Sequence, residues 1–458
     1  MSEPLWLDAL GPRGPYRARN RTTVTDVAGA PVAELSLVPG VYTDRALAAL
    51  HRTEPPPPDE LPGLLARAAE LFATATLAGQ TVAGYQHAVS RVGGIPLPVV
   101  RTATANVAAR LGQVHRSVLQ ARPAGAAGDW RDPATRAGHA VWTRRGEVLA
   151  VHAAGNHPGT HSLWPEALAL GYRVAVRPSR REPFTAHRLV TALREAGFPD
   201  GAVALLPTER DDAGALLRGA DLGLVYGGAD VAARYGGDPR VLVQGPGRSK
   251  ILITADVDWR EHLDVIAGSI AGHGGTGCVN ATAVLVEGDP APLCAALAER
   301  LAALPSARPE DDKAALPVQP AAAAHAIARH LAGRAAGARA WLGADGVADE
   351  LGDGSAVLRP ALHQLDAPDD ERLGAELPFP CAWVAPWTRE AGTAPLRGSL
   401  VLTALTRDDD LIDRLLREPT IGNLHIGDRP THWMEAGLPH DGYLAEFLMR
   451  GKTVVRDR

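Results

Sequence analysis

Three cysteines in 458 residues, far apart and odd in number, exclude a disulfide framework and point to a reduced setting. No stretch offers the roughly 20 apolar residues that span a bilayer. The N-terminal MSEPLWLDALGPRGPYRARN is too polar for a secretory signal. The expectation is a soluble, cytoplasmic protein, in which the glycosylation-type triplets at Asn20 and Asn280 carry no weight. Positive charge is not concentrated either. The 47 Lys and Arg against 52 Asp and Glu leave a net charge of −5, which argues against nucleic acid as a partner. Several chemical signatures are missing: there is no GxSxG elbow, no P-loop and no GxGxxG fingerprint. His432, Glu435 and His440 do not match a zinc helix spacing, and His152, His157 and His161 lack an acidic partner at ligand spacing, so no metal is expected.

What is present is length and a regular alternation of elements. A chain of 458 residues buries a large core and divides into two or three domains. Heavy use of Ala, Gly, Pro and Arg fits a GC-rich coding bias and says little about function. GAPVAELSLV reads as a strand and TDRALAALHR as a helix, stopped by the prolines at 55–58. Helical spacing runs from Leu61 to Leu119 with a break at GGIPLP, and no repeat period is visible.

From Gly146 the pattern tightens. GEVLAVHAAG, YRVAVRPS, AVALLP, LGLVYGG and RVLVQGPG read as strands, separated by the helices SLWPEALALG, FTAHRLVTALREAGF, DAGALLRG and ADVAARYG. Such an alternation with short connections predicts a parallel sheet covered on both faces, which binds ligands at the carboxyl ends of its strands. A second alternation follows Ser249, with KILITADVD, ATAVLVEG, VLTAL and NLHIG as strands. Residues 304–345 read as surface helices and loops.

The cysteines divide by context. Cys294 lies at an apolar helical position and Cys381 in a strand-like run, so both read as core. Cys278 follows small residues in GGTGCVN, at a helix-to-strand junction where little side-chain bulk shields it. A thiolate nucleophile needs such access, with nearby backbone N–H groups to hold charge. On local sequence alone, a buried junction cysteine is the alternative.

The order of these segments resembles the aldehyde dehydrogenase superfamily over nearly the whole chain. VLAVHAAGNHP is similar to its strand with an Asn-x-Pro end, and YRVAVRPSRREPFTA to its Lys-Pro-Ser-Glu-x-x-Pro turn. LVYGGADVA resembles its Thr-Gly-Ser turn, and VLVQGPGRSKILITADVD the strand carrying Glu-Leu-Gly-Gly-Lys. GGTGCVNATAVLV resembles the nucleophile segment, and AELPFPCAWV the Glu-Ile-Phe-Gly-Pro-Val run. Each motif alone is weak; six in order are specific.

The resemblance implies an α/β fold with a doubly wound cofactor domain and a second α/β catalytic domain. Its divisions would fall at 1–247, 248–430 and 431–458, the last returning to the cofactor domain or a subunit interface. Cys278 would be the nucleophile. Its backbone N–H and the Asn156 amide would hold the oxyanion. Arg177, Ser179, Arg180, Gly227, Gly228 and Glu376 would contact a nicotinamide dinucleotide, with Glu376 on a ribose. Arg177, Arg180 and Arg181 favour NADP over NAD, because guanidinium groups suit a 2′-phosphate. The segment 140–151 resembles the family's oligomerisation strand, so a homodimer or homotetramer is expected.

One departure carries most information. Gln244 replaces the glutamate that activates water in hydrolytic members, and an amide is no base. The acyl-thioester branch, which includes CoA-acylating aldehyde dehydrogenases and fatty acyl reductases, also lacks that glutamate. Its Gly-Pro-Gly-like run resembles the 245–247 segment. The leading expectation is an oxidoreductase interconverting an aldehyde and an acyl thioester of CoA or a carrier protein. The alternatives are an ordinary aldehyde dehydrogenase forming a free acid, and a silent paralogue serving as a binding or scaffold protein. A thiol-reactive probe separates the silent form from the other two.

Overall fold

The structure, a computed structural model, describes residues 5–209 and 213–456. The first four residues of the chain, and Asp212 at the head of DAGALLRG, lie outside the described residues. Two seven-stranded sheets dominate. The first contains β1 (Val148–His152), β2 (Arg173–Arg177), β3 (Val203–Leu205), β4 (Leu222–Tyr226) and β5 (Val241–Gln244). These run parallel in the order β5-β4-β1-β2-β3, and two short antiparallel strands, Ala9–Gly11 and Gly14–Tyr16, extend the β3 edge. The chain order reverses between β1 and β4, the point at which such sheets open a crevice.

Both faces of this sheet are covered, which is why its strands are almost continuously apolar. Leu149, Val151, Val174 and Val176 join the core formed with the helices Leu61–Thr74, Leu97–Gly112 and Phe184–Ala196. The alternate residues Val148, Ala150, Ala175 and Ala204 pack on the helices Gly40–Arg52 and Ala213–Gly219. The period-2 alternation thus sorts each strand's side chains into two cores.

The second sheet holds β6 (Ser249–Ile253), β7 (Ala281–Glu287), β8 (Ala361–Gln364), β9 (Cys381–Trp387), β10 (Val401–Leu405) and β11 (Asn423–Ile426). They are parallel in the order β8-β9-β7-β6-β10-β11, with Arg339–Leu342 antiparallel on the β8 edge. Cys294 is fully buried in the helix Ala291–Ala302, and Cys381 is 4% exposed at the start of β9. The 304–345 region is not only helix and loop. Val318–Pro320 forms a small antiparallel sheet with Ser355–Leu358 and Ala348–Glu350.

The 140–151 segment needs a correction. It is not one edge strand. His139–Arg144 is the middle strand of a three-stranded sheet, between Ala126–Ala127 and Met449–Val454. A turn at Gly146 then feeds β1, held because the Asp221 carboxylate accepts the N–H groups of Glu147 and Val148 at 2.7 and 2.9 Å. The sheet's outer edge belongs to Met449–Val454, the strand that contains the GKTV run. Among the described residues no helix is long and apolar enough to cross a membrane.

Candidate active site

The loops at the C-terminal ends of β1, β2, β4 and β5 meet the loops that enter β7, β9 and β10. Between them lies a cleft of about 1350 Å³. Asn156, Ser179, Gly227, Gly228 and Gln244 line it from the first sheet, and Cys278 and Glu376 from the second. A volume of this size exceeds the usual range of small-molecule pockets.

The Cys278 loop is shaped by its small residues. After the helix Leu263–Ala271 the chain passes through left-handed φ values of 55°, 77° and 65° at His273, Gly274 and Gly275. A Cβ on Gly275 would stand 2.6 Å from the Pro380 nitrogen. Asn280, 2% exposed, then clamps the turn. Its Oδ1 accepts the Gly277 N–H at 2.9 Å, while its Nδ2 donates to the carbonyls of Ser269 and Gly272 at 3.1 and 2.7 Å. From β6, Ser249 Oγ donates to the Cys278 carbonyl at 3.0 Å. Gly247 passes so close that an added Cβ would lie 1.8 Å from that same carbonyl oxygen. The Gln-Gly-Pro-Gly run is therefore packed directly beneath the Cys278 loop.

Cys278 itself is part-exposed in the cleft. Burial, with further contributions from the Glu376 and Asp441 carboxyls, pushes its thiol up to about 12. These surroundings favour the thiol over the thiolate. The Asn156 amide donates one N–H to the Thr276 carbonyl at 3.0 Å. A primary amide has two N–H donors, so this bond orients the group and leaves a second for an oxyanion. Gln244, 7% exposed, ends β5 in register with Tyr226, and its carbonyl accepts the Gly227 N–H at 3.1 Å. Glu376 accepts the Arg248 N–H at 2.7 Å, and burial raises its carboxyl above the ordinary range.

The arginines expected to meet a phosphate are engaged within the chain. Arg177 Nε donates to Thr208 Oγ1 at 2.8 Å, and Arg180 pairs with Glu209 at 3.0 Å. Arg181 donates to the Gly93 carbonyl at 3.0 Å, and its N–H bonds Ser179 Oγ at 3.2 Å. The triple positive charge is thus partly neutralised by Glu209. Gly227 and Gly228 connect β4 to the helix Ala229–Tyr235, with Gly228 as its N-cap.

One residue at the site escaped sequence reasoning. His440 Nε2 lies 3.6 Å from Cys278 Sγ, although 162 positions separate them. No short-range pattern encodes such a contact. His157, His273 and His432 also form a row along the cleft wall, with ring centroids 5.5 and 4.7 Å apart.

A profile of the aldehyde dehydrogenase family matches residues 153–445, from the end of β1 past β11, the Cys278 loop included. The chain belongs to the aldehyde dehydrogenase family. Aldehyde dehydrogenase 1A1 of Equus caballus is 32% identical over 146 residues, 29% of this chain and 28% of that protein. Malonate-semialdehyde dehydrogenase 2 of Bacillus mycoides is 27% identical over 151 residues, 31% of each chain. The chain thus spans under a third of the length of these curated relatives. Solved structures extend the likeness in fold to the full length. An NAD-dependent aldehyde dehydrogenase from Sinorhizobium meliloti superposes with a TM-score of 0.83 at 19% identity, covering 98% of this chain and 94% of that one. Gamma-glutamyl-gamma-aminobutyraldehyde dehydrogenase from Burkholderia cenocepacia gives 0.82 at 19% identity, covering 98% and 97%. These aldehyde dehydrogenases share the two-sheet α/β architecture, with a parallel Rossmann-like sheet and a second catalytic unit.

Proposed function

We propose that the protein interconverts an acyl thioester and an aldehyde through a covalent thioester on Cys278, with CoA or a carrier-protein arm as the thiol. The observation that carries this reading is Gln244. It lines the cleft with Cys278 at the position of the water-activating glutamate, and an amide cannot take a proton from water. Asn156, oriented by Thr276, supplies a donor to the oxyanion beside the Cys278 N–H. Ser179, Gly227, Gly228 and Glu376, which line the cleft, and Arg177 and Arg180, which are outside its lining and close to Ser179 in the chain, would bind the nicotinamide dinucleotide, which when present takes or gives the hydride. NADP(H) is the proposed form, with Arg180 turning from Glu209 to the 2′-phosphate. A tenfold preference for NADH would reject that choice. The division of labour at 1–247, 248–430 and 431–458, a cytoplasmic setting and an even-numbered homo-oligomer complete the proposal. The open edge of Met449–Val454 would pair the subunits.

A second reading is favoured by His440. An imidazole 3.6 Å from the sulfur could serve deacylation by water, giving an ordinary aldehyde dehydrogenase that releases a free acid. A product assay separates the two. Given aldehyde and oxidised cofactor without a thiol, the proposed enzyme stops after one acylation of Cys278. Steady release of free acid overturns the thioester reading.

A further inference from the structure

A thiol whose ionised form is disfavoured faces a proton-transfer problem, and the cleft holds one group placed to solve it. Cys278 Sγ and His440 Nε2 are 3.6 Å apart, within reach of an S–H···N bond. Surroundings that oppose charge keep both groups neutral, the thiol up at about 12 and His440 lowered to about 4, first by burial and then by Arg110, and in the tautomer with its proton on Nδ1 the imidazole accepts at Nε2 from the thiol. His440 is held from behind, where Asn423 Nδ2 donates to its carbonyl and so fixes the loop that carries it. Gln244 offers no competing basic group.

We propose that His440 is a catalytic base and acid for Cys278. As sulfur attacks a carbonyl carbon, the S–H bond breaks and the S–C bond forms. The carbonyl π pair moves onto oxygen and the proton passes to Nε2. During acyl exchange with a carrier thiol, Nε2 takes the incoming thiol's proton and returns it to the departing Cys278 sulfur. As hydride leaves the carbon, Nε2 gives the first proton to solvent, the one proton that aldehyde oxidation sets free, and is a free base again when the carrier thiol arrives; with that proton counted, charge and atoms balance. The pairing also explains how a thiol so far from its ionised form is used near neutral pH: the proton leaves as the bond forms, not before it.

This inference rests on Cys278 being the nucleophile of the reading above. Its test uses neither substrate nor cofactor, so it stands or falls separately from the thioester assignment. The probe is iodoacetamide on the intact protein, with carboxamidomethyl Cys278 measured by peptide mass. The ionisable neighbours are Glu376, Asp441 and the Tyr226 hydroxyl around the thiol, and Arg110 around the imidazole. An unassisted thiol reacts in proportion to its thiolate, so its rate climbs about tenfold per pH unit across the neutral range. With His440 accepting the proton, the wild-type rate is flat between about pH 5.5 and 8.5, because the imidazole is already free above its lowered pKa. His440→Gln restores the tenfold slope and slows alkylation at pH 7 by at least about tenfold. His440→Ala is slow as well and is rescued by added imidazole, which a purely structural role does not allow. A wild-type slope of a full decade per unit overturns the proposal even if no variant folds. Equal rates in folded wild type and His440→Gln overturn it too.

Discussion

Replacing Gly247 by alanine tests whether the Gln-Gly-Pro-Gly run positions the nucleophile. The added Cβ would lie 1.8 Å from the Cys278 carbonyl oxygen, 2.6 Å from its carbon and 3.0 Å from its Cα. All three are backbone atoms, so no side chain can swing aside. Reaching ordinary contact near 3.4 Å requires the loop to retreat by about 1.6 Å, at a cost of about 1–3 kcal/mol for overpacking. The displaced atoms belong to the residue whose Sγ must meet the carbonyl and whose N–H must meet the oxyanion. A shift of about 1 Å at a reacting centre costs on the order of 10²-fold in rate. Gly247→Ala should therefore lower kcat by about 10²-fold while the protein still folds, with its melting temperature down by a few degrees. Nicotinamide absorbance follows turnover, and circular dichroism checks the fold. Gly245→Ala is the control, because its nearest neighbour is Ala232 Cβ at 3.9 Å. A folded Gly247→Ala enzyme with wild-type kcat refutes the argument, as does equal damage from Gly245→Ala.

Other outcomes follow from the same geometry. Cys278→Ala should abolish turnover yet leave cofactor binding intact by fluorescence titration, whereas Cys294→Ala and Cys381→Ala should lower stability by about 1 kcal/mol and spare the chemistry. Gln244→Glu should raise release of free acid about 10²-fold if a base for water is what the site lacks; unchanged hydrolysis would mean that His440 already fills the role. Light scattering at micromolar concentration should give a dimer or tetramer, and truncation before Met449 should leave monomers because the pairing strand is gone.

The sheets were readable because their strands are buried on both faces. VLAVH and RVAVR carry apolar runs, bounded by charged or ring-bearing ends and followed by a glycine or proline within three residues, so their limits are written in one dimension. The nucleophile loop was readable for a related reason: GGTGC needs left-handed backbone and close approach, which restrict composition. Four features were not readable. The sheet built on Val318–Pro320 uses strands of three or four residues, too short to show a period. The place of His139–Arg144 depends on Met449–Val454, over 300 positions away, so an interior strand and an edge strand look alike in sequence. The Cys278–His440 contact is likewise a product of the tertiary fold. Glu209, too, sits beyond the arginine turn, so the neutralisation of Arg180 could not be anticipated from that turn alone.

The buried histidines make the last prediction, an acid limit on stability. His152, His161 and His187 are each less than a tenth exposed, and burial lowers all three to about 4. For His161 the cause is visible: its Nδ1 accepts the Trp164 indole N–H at 3.2 Å, an arrangement that a second ring proton would break. Unfolded, these rings titrate near 6.5, so between about pH 4 and 6.5 they alone bind up to three more protons in the unfolded chain than in the native one. Stability therefore rises with pH across that window and is lost as pH falls through it. Glu166 works the other way. Burial, opposed by Arg110, raises its carboxyl to about 7, so the native state holds a proton that the unfolded chain releases above about 4.5. These three rings set against Glu166 alone make stability fall by roughly 3 kcal/mol per pH unit between pH 6 and 5, and His157, His432 and His440, lowered to about 3, 4 and 4, steepen the fall further. Glu166→Gln removes the opposing proton. The variant should outlast wild type at pH 8, where the native carboxyl must ionise in an apolar site, and lose that advantage by pH 5. Urea unfolding at half-unit pH steps measures both slopes. A stability that stays level from pH 7 to 5, or a Glu166→Gln advantage that grows on acidification, would show that these side chains are hydrated in the native state.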